Sequence, residues 1–118
     1  MIASGSLYPY VPRLNDLLRL IRAELHPECT DMQKAIELSQ QIRFHASPQL
    51  ALALGWHIVQ LADSSSLYWH NGGTGGARSF VGFVPRAGVG VVVLMNEALP
   101  LDAVTRFGIQ IARAALGQ

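Results

Sequence analysis

Lysine is nearly absent from this 118-residue chain: Lys34 stands alone beside eight arginines. Charged residues of both signs make up only 14%, and the net charge is +1. The arginines are scattered, so no basic stripe points to nucleic acid. Cys29 is the single cysteine, which excludes an internal disulfide. The longest apolar strand, Val89 to Met95, is far too short to span a bilayer. Residues 1 to 30 lack a basic stretch followed by an apolar one, so no signal peptide is visible and localisation stays open. His26, His45, His57 and His70 lie 12 to 19 residues apart, without the close pairing a metal site uses. No phosphate-loop pattern is present either, and neither a metal nor another cofactor is expected.

Half of the residues are hydrophobic, enough for one domain with a buried sheet and some apolar surface left for a partner. Met1 to Pro12 reads as loop, broken by Gly5, Pro9 and Pro12. Asn15 or Asp16 caps a helix with Leu17, Leu18, Leu20, Ile21 and Leu25 on its apolar side, ended by Pro27. Thr30 and Gln33 form a capping box for a second helix, with Ala35, Ile36, Leu38 and Ile42 inward. Residues 43 to 53 read as a connection. Leu54 to Leu61 is the first strand, turned at Ala62-Asp63-Ser64-Ser65 into a second that runs through the glycines to Val84. Val89 to Met95 is the third. Pro100 opens a final helix with Leu101, Val104, Phe107, Ile111 and Leu116 on its buried side. The expected architecture is α+β: an antiparallel three-stranded sheet flanked by two amino-terminal helices and one carboxy-terminal helix.

The chemistry concentrates in His70-Asn71-Gly72-Gly73-Thr74-Gly75-Gly76. Glycines there remove side chains where something must approach the main chain, and an extended ligand held by N–H and C=O groups fits such an edge. Asp16, Glu24, Glu28, Asp31 and Glu37 sit on or beside helices and read as caps or solvated faces. Of the histidines, only His70 has a suggestive setting; the other three read as surface or half-buried. Arg78 reads first as a solubilising strand residue and second as an anion contact. Trp56 and Trp69 read as core.

Tyr68 to Asn96 resembles the carboxy-terminal sheet of the β-lactamase-related serine hydrolases, which include class C β-lactamases, DD-peptidases and esterases. His70-Asn71-Gly72 matches that family's third motif, usually Lys-Thr-Gly or His-x-Gly. Thr74-Gly75-Gly76, Phe83 to Pro85 and the Val-Leu-Met-Asn ending at Asn96 fall in register with it. Leu54-Gly55-Trp56 and Leu14 to Leu25 resemble the strand and helix that precede the motif. The resemblance implies one partial domain over residues 1–118, of β-lactamase/transpeptidase-like fold. It also implies a substrate-binding set of His70, Asn71, Gly72, Gly73 and Asn96. His70 would orient an anionic group of the substrate, Asn71 would offer side-chain hydrogen bonds, and Gly72 would let the strand pack near the nucleophile's helix. The N–H of Gly73 would be half of an oxyanion hole, and Asn96 would meet the substrate carboxylate.

The nucleophile is not here. No serine has lysine three positions later, and no tyrosine has asparagine two positions later. Neither Ser66 nor Ser79 has a visible base beside it. The chain therefore reads as a carboxy-terminal fragment without independent acyl transfer, whose partner is a missing amino-terminal half. The alternative is a non-catalytic module that binds a peptide or protein along the glycine-lined edge. Either way, Val89 to Met95 is an apolar sheet edge that invites self-association. The substrate expected of the intact family is a small molecule or peptide.

Overall fold

The computed structural model describes residues 13–118. The expected loop from Met1 to Pro12 lies outside them. Six strands form one antiparallel sheet in sequence order: β1 (Phe44–His45), β2 (Leu50–Leu52), β3 (His57–Gln60), β4 (Ser66–Thr74), β5 (Ala77–Val84) and β6 (Val89–Met95). Three helices accompany it: α1 (Leu14–Leu25), α2 (Gln33–Ser39) and α3 (Leu101–Ala115), with a short 3-10 turn over Pro27–Cys29.

Three strands was an underestimate, for two reasons. The expected second strand, from Ser66 through to Val84, is folded in half at Gly75-Gly76. Gly75 has φ +57°, a left-handed conformation that a two-residue hairpin needs and that most side chains resist. The presumed connection at residues 43 to 53 holds the β1–β2 hairpin, whose strands are too short for alternation to show. Leu50–Leu52 is a strand because β3 pairs with it. The expected strand from Leu54 begins only at His57, because Leu54 and Gly55 form the turn before it.

The pleat sends alternate residues to opposite faces. Phe80 and Val84 of β5, Val91 and Val93 of β6 and Leu67 of β4 pack with Val104 and Ala112 of α3. Phe83, flanked by Val81 and Val92, packs on the other face with Trp56 and with Ile21 of α1. Residues from Phe80 to Val84 therefore serve two cores in turn, which explains why this stretch is apolar throughout. Helix α1 comes close to β6 where Gly90 lacks a side chain, and a Cβ there would collide with Ile21.

Helix α2 does not cover the sheet as expected. It packs on the 3-10 turn, and Ala35, Leu38 and Ile42 are exposed while Ile36 is half-buried. The Thr30 hydroxyl accepts from the Met32 N–H, one residue early, so Gln33 opens the helix instead of closing a capping box. In α1 the cap differs too: Asp16 lies inside the first turn, where its carboxylate accepts from the Arg13 N–H at 3.0 Å. Leu18 and Leu20 of α1 are exposed, as are Leu101 and Phe107 of α3.

Glu24 is the one carboxylate misread as solvated. It is 7% exposed, and the Gln40 amide donates to its Oε2 at 2.7 Å and to its main-chain oxygen at 3.0 Å. Burial raises its pKa above the ordinary 4.5, with the Gln40 hydrogen bond opposing in part. A carboxyl whose folded-state pKa is raised stabilises the fold below its unfolded value, and that contribution is lost as pH rises through the folded value. Stability should therefore fall as pH climbs above about 4.5, and Glu24→Gln should abolish that step. Melting midpoints of both proteins across this window test it; parallel curves would show that Glu24 is not the group responsible.

Candidate functional site

β4 outruns β3. Register pairs Ser66–Trp69 with His57–Gln60 and stops there, so His70 to Thr74 has β5 on one side and no strand on the other among the described residues. Which residues face the open side follows from the ladder. The Leu61 N–H donates to the Ser65 carbonyl at 2.9 Å, which makes that pair a hydrogen-bonded one. Counting by twos along β4, Leu67, Trp69, Asn71 and Gly73 turn their N–H and C=O groups the same way. The Gly75-Gly76 hairpin gives the same phase independently: it closes on Thr74 opposite Ala77, directing Thr74, Gly72 and His70 toward β5. The open edge thus offers the main chains of Asn71 and Gly73.

Side chains alternate the other way. His70, Gly72, Ser79, Val81 and Leu94 line a groove of about 310 Å³ that Leu17 of α1 borders. His70 is exposed there. Any Cβ at Gly72 would come within 3.0 Å of the Ser79 hydroxyl, so the bare glycine keeps the groove open. Asn71 points its side chain to the opposite face, where its amide donates to Thr105 Oγ1 of α3 at 2.8 Å. What it presents to the edge is main chain. Asn96 is exposed one residue past β6 and does not border the groove.

Arg78 has a structural task. Its Nε donates to the Leu99 carbonyl at 2.6 Å and its NH1 to the carbonyl of Ala77 at 2.8 Å, tying the hairpin to the approach to α3. Those bonds engage Nε and NH1 with main-chain carbonyls. Ser79 Oγ donates weakly to the Gly72 carbonyl at 3.4 Å, and among the described residues no imidazole or amine is hydrogen-bonded to it. Trp56 is buried, as expected, with its ring edge-on to Phe83 at 4.9 Å.

One residue that the sequence did not single out stands beside the site. His57 stacks on Trp69, with ring centroids 4.4 Å apart, and its ring lies 5.9 Å from that of His70. Thirteen positions of sequence separate the two histidines; a hairpin register brings them together. The signal was the turn at Ala62 to Ser65, which sets His57 opposite Trp69 once the hairpin is closed in register.

Among the described residues, no helix is long and apolar enough to cross a membrane, and no three histidine, cysteine or acidic side chains cluster as a metal site. No curated protein matches the chain. Among solved structures, it is similar to the structure described as the octameric penicillin-binding protein homologue from Pyrococcus abyssi. The TM-score is 0.73 at 18% identity, over 89% of this chain and 24% of that one. The shared fold is the finding at that identity, and the chain spans about a quarter of that protein's length. A protein-family model described as Beta-lactamase matches residues 8–115. With that match running nearly end to end, the chain belongs to the Beta-lactamase family.

Proposed function

We propose that this chain is the carboxy-terminal, substrate-binding part of a serine acyl-hydrolase that attacks an amide, β-lactam or ester carbonyl. The open edge of β4 beside the groove carries the reading. A carbonyl carbon attacked by a hydroxyl places negative charge on its oxygen, and a fixed N–H aimed at that oxygen lowers the barrier. Gly73 supplies such an N–H. Asn71 supplies a main-chain carbonyl that accepts from a substrate N–H, its side chain being held by Thr105. His70, at the groove's rim, meets an anionic substituent, and Asn96 has no part in the groove itself. The serine and its base come from a polypeptide bearing Ser-x-x-Lys and Tyr-x-Asn, since a donor without a nucleophile stabilises a transition state that never forms.

The test is complementation. The chain alone and the chain mixed with such a companion are exposed to a fluorescent penicillin and a chromogenic ester. Covalent labelling and turnover are expected only in the mixture, with the label on the companion's serine. Turnover by the chain alone, or label on a serine of residues 1–118, would overturn the assignment. The open edge also supports a second reading, strand addition by a peptide without chemistry. Peptide affinity in the chain alone, with no gain on mixing, would favour it.

The outer edge of β6 has no strand beside it among the described residues. The chain alone is expected to associate with itself there, in keeping with an octameric fold neighbour. Light scattering should report oligomers that the companion dissolves.

A further inference from the structure

We infer that His57 is a specificity-determining residue of this site, forming with His70 a two-imidazole clamp for a carboxylate. The inference rests on the reading of the β4 edge as a substrate site. Three observations carry it. First, His57 opens β3 opposite Trp69, the last β4 residue with a partner on that side, so it marks where the open edge starts. Second, its ring is fixed. It stacks on Trp69 at 17°, and Trp69 in turn stacks on the fully buried Phe80 with centroids 6.0 Å apart. A ring held in that ladder has little rotational freedom to lose when a ligand arrives.

Third, its two nitrogens are unequal. Among the described residues Nδ1 is buried without a hydrogen-bond partner, whereas Nε2 has no partner either but is not one of the buried, unpartnered atoms. A neutral imidazole carries one N–H and one lone pair. A buried N–H with no acceptor forfeits its hydration for nothing, so the N–H belongs on Nε2, where water or a ligand can accept from it. That leaves a fixed donor 5.9 Å, ring to ring, from the exposed imidazole of His70. A carboxylate has two oxygens, each accepting along its own direction, and two donors spaced this way can take one each. The ligand class is thus a carboxylate-bearing acyl compound, selected over its neutral amide.

Benzoate serves as the probe and benzamide as its neutral counterpart, both titrated into the full chain at constant pH while the ring C–H resonances of all four histidines are followed by NMR. Benzoate is expected to move the His57 and His70 signals along one binding curve and to leave His26 and His45 still; benzamide should move none. His57→Phe keeps a flat ring against Trp69 but removes the donor. It should weaken benzoate binding by about tenfold, in line with one hydrogen bond to a charged group. Shifts confined to His70, equal response to benzamide, or undiminished affinity in His57→Phe would each overturn the clamp. The wild-type shifts decide the matter even if the variant misfolds. Because no turnover is measured, a failed clamp leaves the complementation result standing, and a failed complementation leaves the clamp standing as a binding site.

Discussion

Replacing Gly108 by alanine should destabilise the protein by about 2 kcal/mol, although the same change in an exposed helix would stabilise it. Gly108 is buried in the middle of α3, where alanine's intrinsic helix preference is worth about 1 kcal/mol over glycine. The new Cβ, however, would land on the ring of Phe80. That ring has no room to yield. It is fully buried, stacked on Trp69 from β4, and within 2.9 Å of where a Cβ on Gly82 would stand. Overpacking at such a site costs about 3 kcal/mol, the upper end of the usual range, and outweighs the propensity gain. For a chain of this size the melting midpoint should drop by roughly 10 °C. Adding Phe80→Leu should restore part of the loss, making the pair less destabilised than the sum of its members. A midpoint that rises in Gly108→Ala would mean that α3 does not press on Phe80 and that this side of the core is packed differently.

The second large effect concerns chemistry. In the complemented enzyme, Gly73→Pro should slow acylation by about 10²- to 10³-fold, the usual loss when an oxyanion donor is removed. The substitution deletes the N–H and nothing that the sheet uses. By the ladder's phase, Gly73 faces the open side, and proline is tolerated where the missing N–H would face outward. It also prefers an extended preceding residue, which Gly72 within β4 already is. Gly73→Ala is the control, because its Cβ meets the same Arg78 side chain at 3.0 Å while the N–H survives. Alanine should retain most of the rate. Gly72→Pro, whose N–H faces β5, should unfold the hairpin instead. Equal rates in the proline and alanine variants at position 73 would show that this N–H does not hold the oxyanion.

Much of the sheet was legible because β5 and β6 are long and covered on both faces. Phe80 to Val84 and Val89 to Met95 are apolar without interruption, which marks strands buried on both faces. Helix α3 was legible from Pro100 and the spacing of Val104, Ile111 and Leu116. The β1–β2 hairpin was not. Strands of two and three residues carry no periodicity of their own, and they exist because β3 offers hydrogen bonds to β2, and β2 in turn to β1. The inward side of α2 was misjudged for a related reason: Leu38 and Ile42 have the spacing of a buried stripe, but among the described residues nothing covers them and both are exposed.

The sequence by itself determined the family and the position of the glycine-lined strand, because His70-Asn71-Gly72 and the strands around it are local patterns read in order. It also determined that the Ser-x-x-Lys nucleophile does not lie within these residues. Tertiary structure alone decided which atoms of that strand are available. Pairing phase turned the main chains of Asn71 and Gly73 outward, α3 took the Asn71 amide through Thr105, and the loop before α3 took the guanidinium of Arg78. It also set His57 beside His70. Each of these depends on contacts across strands or layers, between residues far apart in the chain, and no local spacing encodes them.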